Sequence, residues 1–216
     1  SITDSDAGYV NKVAGIGQDE ELLLSYIYKN AVSPHLAALL ENNPVSMEVI
    51  KRDFARVISK YDYVTMEGSG GILCPIRMGD KEVWLYDIIE NLNLPVLLIA
   101  DAGLGTINGV GLTVEFLKQR GIRLKGIIFN NYVEGNLMHE DNLKMCEYMT
   151  GLKVIAKVKA GDTDLDIDID EAMKRALGRL TCECGASYNK FVEKFMPKVT
   201  NICDKCGKEL IQRTDD

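Results

Sequence analysis

Apolar positions along this chain follow two rhythms. Short continuous runs at 95–101 (PVLLIAD), 124–130 (LKGIIFN) and 153–158 (KVIAKV) have the length and branching of buried strands. Before and between them lie stretches with helical spacing: 83–92, 106–120 stopping at Gly121, and 139–150 ending at Gly151. Glycine just past a helix is the usual left-handed stop. Upstream, Asp6 to Gly17 reads as a short helix with a glycine-rich exit. Pro34 precedes HLAALLEN, which places Leu36, Leu39 and Leu40 on one helical face. Ser46 stands where it caps the helix Met47–Lys60, in which Val49, Ile50, Phe54, Val57 and Ile58 recur at helical intervals. Asp62 and Tyr63 then lead into an expected strand, VTMEG. Continuous apolar strands separated by amphipathic helices predict an α/β fold, a parallel sheet flanked by helices on both faces.

The rhythm breaks near residue 170. Residues 169–179 read as one helix that puts Arg175 and Arg179 on a shared face, the ordinary reading of which is a solvated surface. Residues 180–216 are turn-rich and punctuated by cysteine, too short a stretch to hold together by apolar burial alone. Two domains are expected: 1–168, an α/β domain, and 169–216, a small β-rich zinc module. Cys182-x-Cys184, 18 intervening residues and Cys203-x-x-Cys206 supply four thiolates that suit tetrahedral zinc better than disulfides in a reducing compartment. The first pair encloses only Glu183, one residue fewer than zinc knuckles usually have. Cys74 and Cys146, isolated among apolar neighbours, read as buried thiols.

Composition narrows the function classes. A net charge of −7 argues against a nucleic-acid partner, which needs clustered Lys and Arg, and the acidic run Asp162–Glu171 points the same way. No apolar stretch approaches the roughly 20 residues that span a bilayer, and no secretory leader is visible, so a cytoplasmic location is the expectation. His35 and His139 lack partners at ligand spacing.

Candidate chemistry lies at strand ends, where α/β sheets bind ligands. Glu67 is followed by Gly68, Ser69, Gly70 and Gly71. A carboxylate there is either a magnesium ligand or a strand-end residue paired with a lysine, while the glycines let backbone N–H groups approach an anion. Leu104, Gly105, Thr106 and Asn108 lie between a strand and a helix, and the helix N-terminus offers either an anion site or plain capping by Thr106. Asn130 ends another strand, as an adenine-reading amide or a simple turn residue. Asp6 is a carboxylate ligand or a helix cap.

Taken in order, Asp6, SPHLAALLEN, Glu67-Gly-Ser-Gly-Gly, Leu104-Gly-Thr-Ile-Asn108 and Asn130 make residues 1–168 resemble dethiobiotin synthetase. The resemblance implies a P-loop NTPase-like fold and a reaction in which 7,8-diaminopelargonate takes up carbon dioxide or bicarbonate, is phosphorylated by ATP and closes its ureido ring. It implies Mg2+ on Asp6 and Glu67, ATP at Asn130, Gly68, Gly70 and Gly71, the substrate's carboxylate tail at 104–108, and a homodimer. Gly109 departs from a histidine common in the family, and Lys159 stands near an expected proline. No Gly-x-x-x-x-Gly-Lys-Ser/Thr segment occurs in the 216 residues. The expectation is therefore a truncated, processed, engineered or mis-joined chain, its first strand and phosphate loop upstream of Ser1 and its activity impaired. Residues 169–216 resemble the lid of a zinc-containing adenylate kinase, which implies Zn2+ on the four cysteines and Arg175, Arg179 and Arg213 over ATP phosphates. The alternatives are an adenylate kinase-type phosphotransferase chimera and a non-catalytic, zinc-stabilised nucleotide-binding remnant.

Overall fold

A computed structural model describes residues 2–15, 17–61, 63–162, 179–181, 187–189 and 211–212. The chain divides into two units, Ser1–Leu92 and Asn93–Asp216.

The first unit is helical with one small ladder. Helix α1 (Asp6–Ala14) starts where the Ser5 hydroxyl accepts the Gly8 N–H and stops at Gly15, whose φ of 62° is left-handed. It ends short of Gly17, and Tyr9, Val10 and Val13 stay exposed. In α2 (Pro34–Leu40) the expected apolar face is reversed. Ala37 and Ala38 are the buried residues, whereas Leu39 and Leu40 are 75% and 60% exposed. The small side chains permit the close approach, and the leucines turn outward. Ser46 precedes α3 (Met47–Ile58) in extended conformation, but its hydroxyl donates to Glu48 Oε2 (2.5 Å) rather than capping the helix. That bond holds the Glu48 carboxyl below its ordinary range. Strands β1 (Pro75–Arg77) and β2 (Val83–Trp84) pair antiparallel, and α4 (Leu85–Leu92) comes next, so helix begins two residues later than the periodicity implies. The Asp87 carboxylate explains the boundary by accepting the Trp84 N–H at 2.8 Å.

The expected strand at 64–68 does not form. A strand exists by pairing, and among the described residues of this unit the ladder is made by β1 and β2 alone. Tyr63 and Met66 consequently lie exposed.

The second unit holds the parallel sheet. Strands β3 (Val96–Asp101), β4 (Leu124–Asn130) and β5 (Val154–Lys157) lie side by side in that order, joined by α5 (Thr106–Gln119) and α6 (Leu137–Thr150). Helix α6 begins at 137 because Asn136 caps it, accepting the N–H groups of Met138 and His139. Ala102, Val110, Val114, Ile127, Phe129, Tyr132 and Cys146 form the core, with Leu98 and Ala100 packed against it. Cys146 is buried as expected; Cys74 is only half-buried. Burial raises the pKa of both thiols. The sheet is not covered on both faces among the described residues. Side chains alternate across a strand, and while Leu98 and Ala100 face the helices, Leu97 and Ile99 are 44% and 66% exposed. Among the described residues β3 is therefore an edge strand with one open face, not a fully buried one.

Beyond 162 the described backbone forms β6 (Arg179–Thr181), β7 (Ser187–Asn189) and β8 (Ile211–Gln212), an antiparallel sheet in the order β7-β6-β8. Arg179 thus opens a strand, opposite Asn189, instead of ending a helix. A backbone extended for pairing cannot also carry the i, i+4 helical face expected with Arg175. Arg175, Arg213 and the four clustered cysteines lie outside the described residues. Among the described residues no helix is long and apolar enough to cross a membrane.

Candidate functional site at the strand ends

Parallel register brings the ends of β3 and β4 level: Asp101 lies opposite Asn130, and the Ala102 N–H extends the ladder to the Asn130 carbonyl at 2.9 Å. Beyond these ends the chain makes two sharp turns. Asn131 takes a left-handed φ of 55°, uncommon for a residue with a side chain. Its amide donates to Asp101 Oδ2 (2.7 Å), while Asp101 Oδ1 accepts the Gly103 N–H (2.7 Å). These donors, Asn131 first, hold the Asp101 carboxyl below its usual range, helped by His139 nearby.

The loop leading into α5 is held from beneath as well. Asn142, buried on α6, donates its amide to the carbonyls of Ala102 (2.9 Å) and Gly103 (3.0 Å). Gly105 then supplies a left-handed φ of 92°, and α5 starts at Thr106. The Thr106 side chain makes no cap; it is buried, and the capping position belongs to Gly105. Leu104 is 94% exposed, and Asn108 and Gly109 face solvent. Helix α5 therefore presents its first N–H groups beside an open surface, where its dipole favours an anion. The loop after β4 is fixed by His139, whose Nδ1 accepts the Val133 N–H at 3.0 Å and whose ring tilts against Tyr132.

In the first unit, Asp6 is the exposed first residue of α1. Glu67 through Gly71 are also exposed. A Cβ on Gly68 would come within 2.8 Å of Leu85 Cδ2, the movable end of that side chain, and Gly70 has a φ of 119°. Among the described residues no three His, Cys, Asp or Glu side chains converge.

Sequence comparison gives these positions a family. Residues 1–163 match the family described as AAA domain. The chain is 48% identical over 166 residues to the ATP-dependent dethiobiotin synthetase BioD of Brachyspira hyodysenteriae, covering 76% of this chain and 75% of that protein. It is 50% identical over 137 residues to the BioD of Clostridium botulinum (strain Loch Maree / Type A3), covering 63% and 60%, and 44% identical over 158 residues to that of Clostridium novyi (strain NT), covering 73% and 66%. The chain belongs to the dethiobiotin synthetase family. It spans 60% to 75% of the length of these three relatives. Residues 179–215 separately match the family described as adenylate kinase, active site lid.

Within a dethiobiotin synthetase, the segments singled out from sequence divide between the two units. Leu104, Gly105, Thr106, Asn108 and Asn130 gather around the ends of β3 and β4, whereas Asp6, Glu67, Gly68, Gly70 and Gly71 belong to the first unit. Asp101, Asn131 and Asn142, which tie the second group together, carry no sequence signal beyond the place of the first two at or after strand ends; Asn142 is a polar residue on an otherwise ordinary helix.

Proposed function

We propose that this chain carries out the ATP-dependent carboxylation and ring closure of 7,8-diaminopelargonate to dethiobiotin, a step of biotin biosynthesis. The observation that carries the reading is 48% identity over 166 residues to an ATP-dependent dethiobiotin synthetase. The local geometry supports it. The N–H groups opening α5 suit the substrate's carboxylate tail, in a loop already pinned by Asn142 and Asp101. The exposed Asn130 amide has both a donor and an acceptor to offer the adenine edge.

Asp6 and Glu67 would hold Mg2+; two solvent-facing carboxylates are the hard oxygen donors that this ion prefers, leaving room for its waters and for phosphate oxygens. The bound ion supplies charge neutralisation at the transferring phosphoryl group. Glycines 68, 70 and 71 keep side chains away from the backbone beside Glu67. In the C-terminal module, Cys182, Cys184, Cys203 and Cys206 would hold Zn2+ through four thiolates. A cytoplasmic homodimer completes the reading.

The test is incubation with ATP, Mg2+, bicarbonate and diaminopelargonate, dethiobiotin being followed by mass spectrometry, alongside calorimetric titration with diaminopelargonate. Tail binding with ATP-dependent product formation that falls in Glu67→Gln is expected. Absence of both binding and product overturns the reading. The lid match at 179–215 favours a second possibility, adenylate kinase-type phosphotransfer, which predicts ADP from ATP and AMP. If neither activity is found and zinc is still bound, the chain is a zinc-stabilised binding remnant.

A further inference from the structure

One carboxylate at the strand ends serves two segments. Asp101 Oδ2 accepts from Asn131, the residue after Asn130; Asp101 Oδ1 accepts from the Gly103 N–H, at the start of the loop that ends in Thr106. Both contacts are 2.7 Å, the short distance of charge-assisted hydrogen bonds. The arrangement depends on residue types at each corner. A Cβ on Gly103 would lie 2.8 Å from Asp101 Oδ1, so glycine is what lets the carboxylate close on the backbone. Asn131 sits in the left-handed region, a conformation that surrounding contacts must hold in place. Asn142 fixes the same loop from below through Ala102 and Gly103, which leaves Asp101 as the side chain that links it across to β4.

We propose that Asp101 is a positioning residue that couples the adenine-reading end of β4 to the substrate-tail loop before α5. This rests on the assignment of Asn130 to adenine and of the 104–108 loop to diaminopelargonate. Neither ligand touches the carboxylate; each finds its own segment set by it. Whichever ligand binds first adds its own contacts to the shared joint, so the second meets a more firmly held loop, and the two affinities rise together.

The experiment titrates the full chain calorimetrically with ADP, with diaminopelargonate, and with each in the presence of the other. It compares the wild type with Asp101→Asn, Asn131→Asp and the double replacement. Asp101→Asn leaves one acceptor oxygen facing two donors, so one of the two contacts is lost. Asn131→Asp alone sets carboxylate against carboxylate. The double replacement exchanges donor and acceptor across the Asp101–Asn131 contact, leaves an oxygen for Gly103 and preserves net charge. The expected result is that each single change weakens both ligands about fivefold or more and abolishes their mutual enhancement. The double replacement should recover both. If the wild type binds both ligands and the single changes alter neither affinity, or alter only one, the coupling is overturned. If the wild type binds neither, the underlying assignment fails first and the coupling with it.

Discussion

In sequence the loop 101–105 and the segment 63–71 look equivalent: each reads as a strand end that delivers glycines to a ligand. They differ in what holds them. The first continues a strand paired along its length with β4, and its backbone is gripped by Asp101 on one side and Asn142 on the other. The second continues no strand, and Glu67 to Gly71 lie exposed. Glycine-rich sequence near a strand end is therefore only half of a site; the neighbouring strand that sets it in place is the other half.

Core and loop substitutions should break this contrast most sharply. Phe129, fully buried in β4, anchors the sheet against α5 and α6. Phe129→Ala is expected to cost about 3–5 kcal/mol by lost transfer energy and cavity formation. Tyr63→Ala, at a side chain 59% exposed, should stay within about 0.5 kcal/mol. Denaturant titration of both variants checks the difference; equal losses would mean that 63–71 is as firmly packed as β4.

Next in size is Asn142→Leu. It leaves the carbonyls of Ala102 and Gly103 without their side-chain donor and should cost about 1–3 kcal/mol. Amide exchange around Thr106 should accelerate while that of β5 does not.

Acid sharpens the same comparison. The Asp101 carboxyl is held below its ordinary range by Asn131, Gly103 and His139. A depressed folded value means that its stabilisation is complete above the unfolded value of about 3.9 and is lost as pH falls through the folded one. A carboxyl titration by NMR should show Asp101 ionising below the ordinary aspartate value of about 3.9, and Asp101→Asn should remove that part of the acid sensitivity. A midpoint at or above about 3.9 would contradict it.

Much of the second unit is legible in the sequence. Runs of Val, Ile and Leu mark β3, β4 and β5, and Gly121 and Gly151 mark where the intervening helices stop. Burial is harder to read, because periodicity identifies an element without saying what covers it. Leu97 and Ile99 match any buried strand, yet they are exposed since, among the described residues, α5 and α6 pack on the other face of β3. α2 shows the complementary failure: alanines can be the packed face while leucines point outward. The candidate site is legible as separate segments, but the carboxylate and amides that join them are not. Asp101 reaches Asn131, and Asn142 reaches Ala102 and Gly103, across 30 to 40 positions in sequence, which no local pattern encodes.

The smallest effect tests whether a family departure is structurally imposed. Gly109 stands where dethiobiotin synthetases commonly have histidine, one turn into α5. A Cβ built there meets nothing within 4 Å, and the residue is exposed, so the fold does not require glycine. Nor does its backbone, since Gly109 is not among the glycines with positive φ and its N–H bonds the Gly105 carbonyl at 3.0 Å in helical fashion. Glycine in a helix interior costs more than histidine by a few tenths of a kcal/mol. Gly109→His should therefore raise stability by roughly that amount, measured as a small upward shift in the unfolding midpoint. If the variant is instead destabilised by about 1 kcal/mol or more, the size of a lost contact, the open surface beside Asn108 is occupied in solution. In that case the strand-end face is itself partly covered, and its difference from the 63–71 segment is larger than the contacts of Asp101 and Asn142 alone.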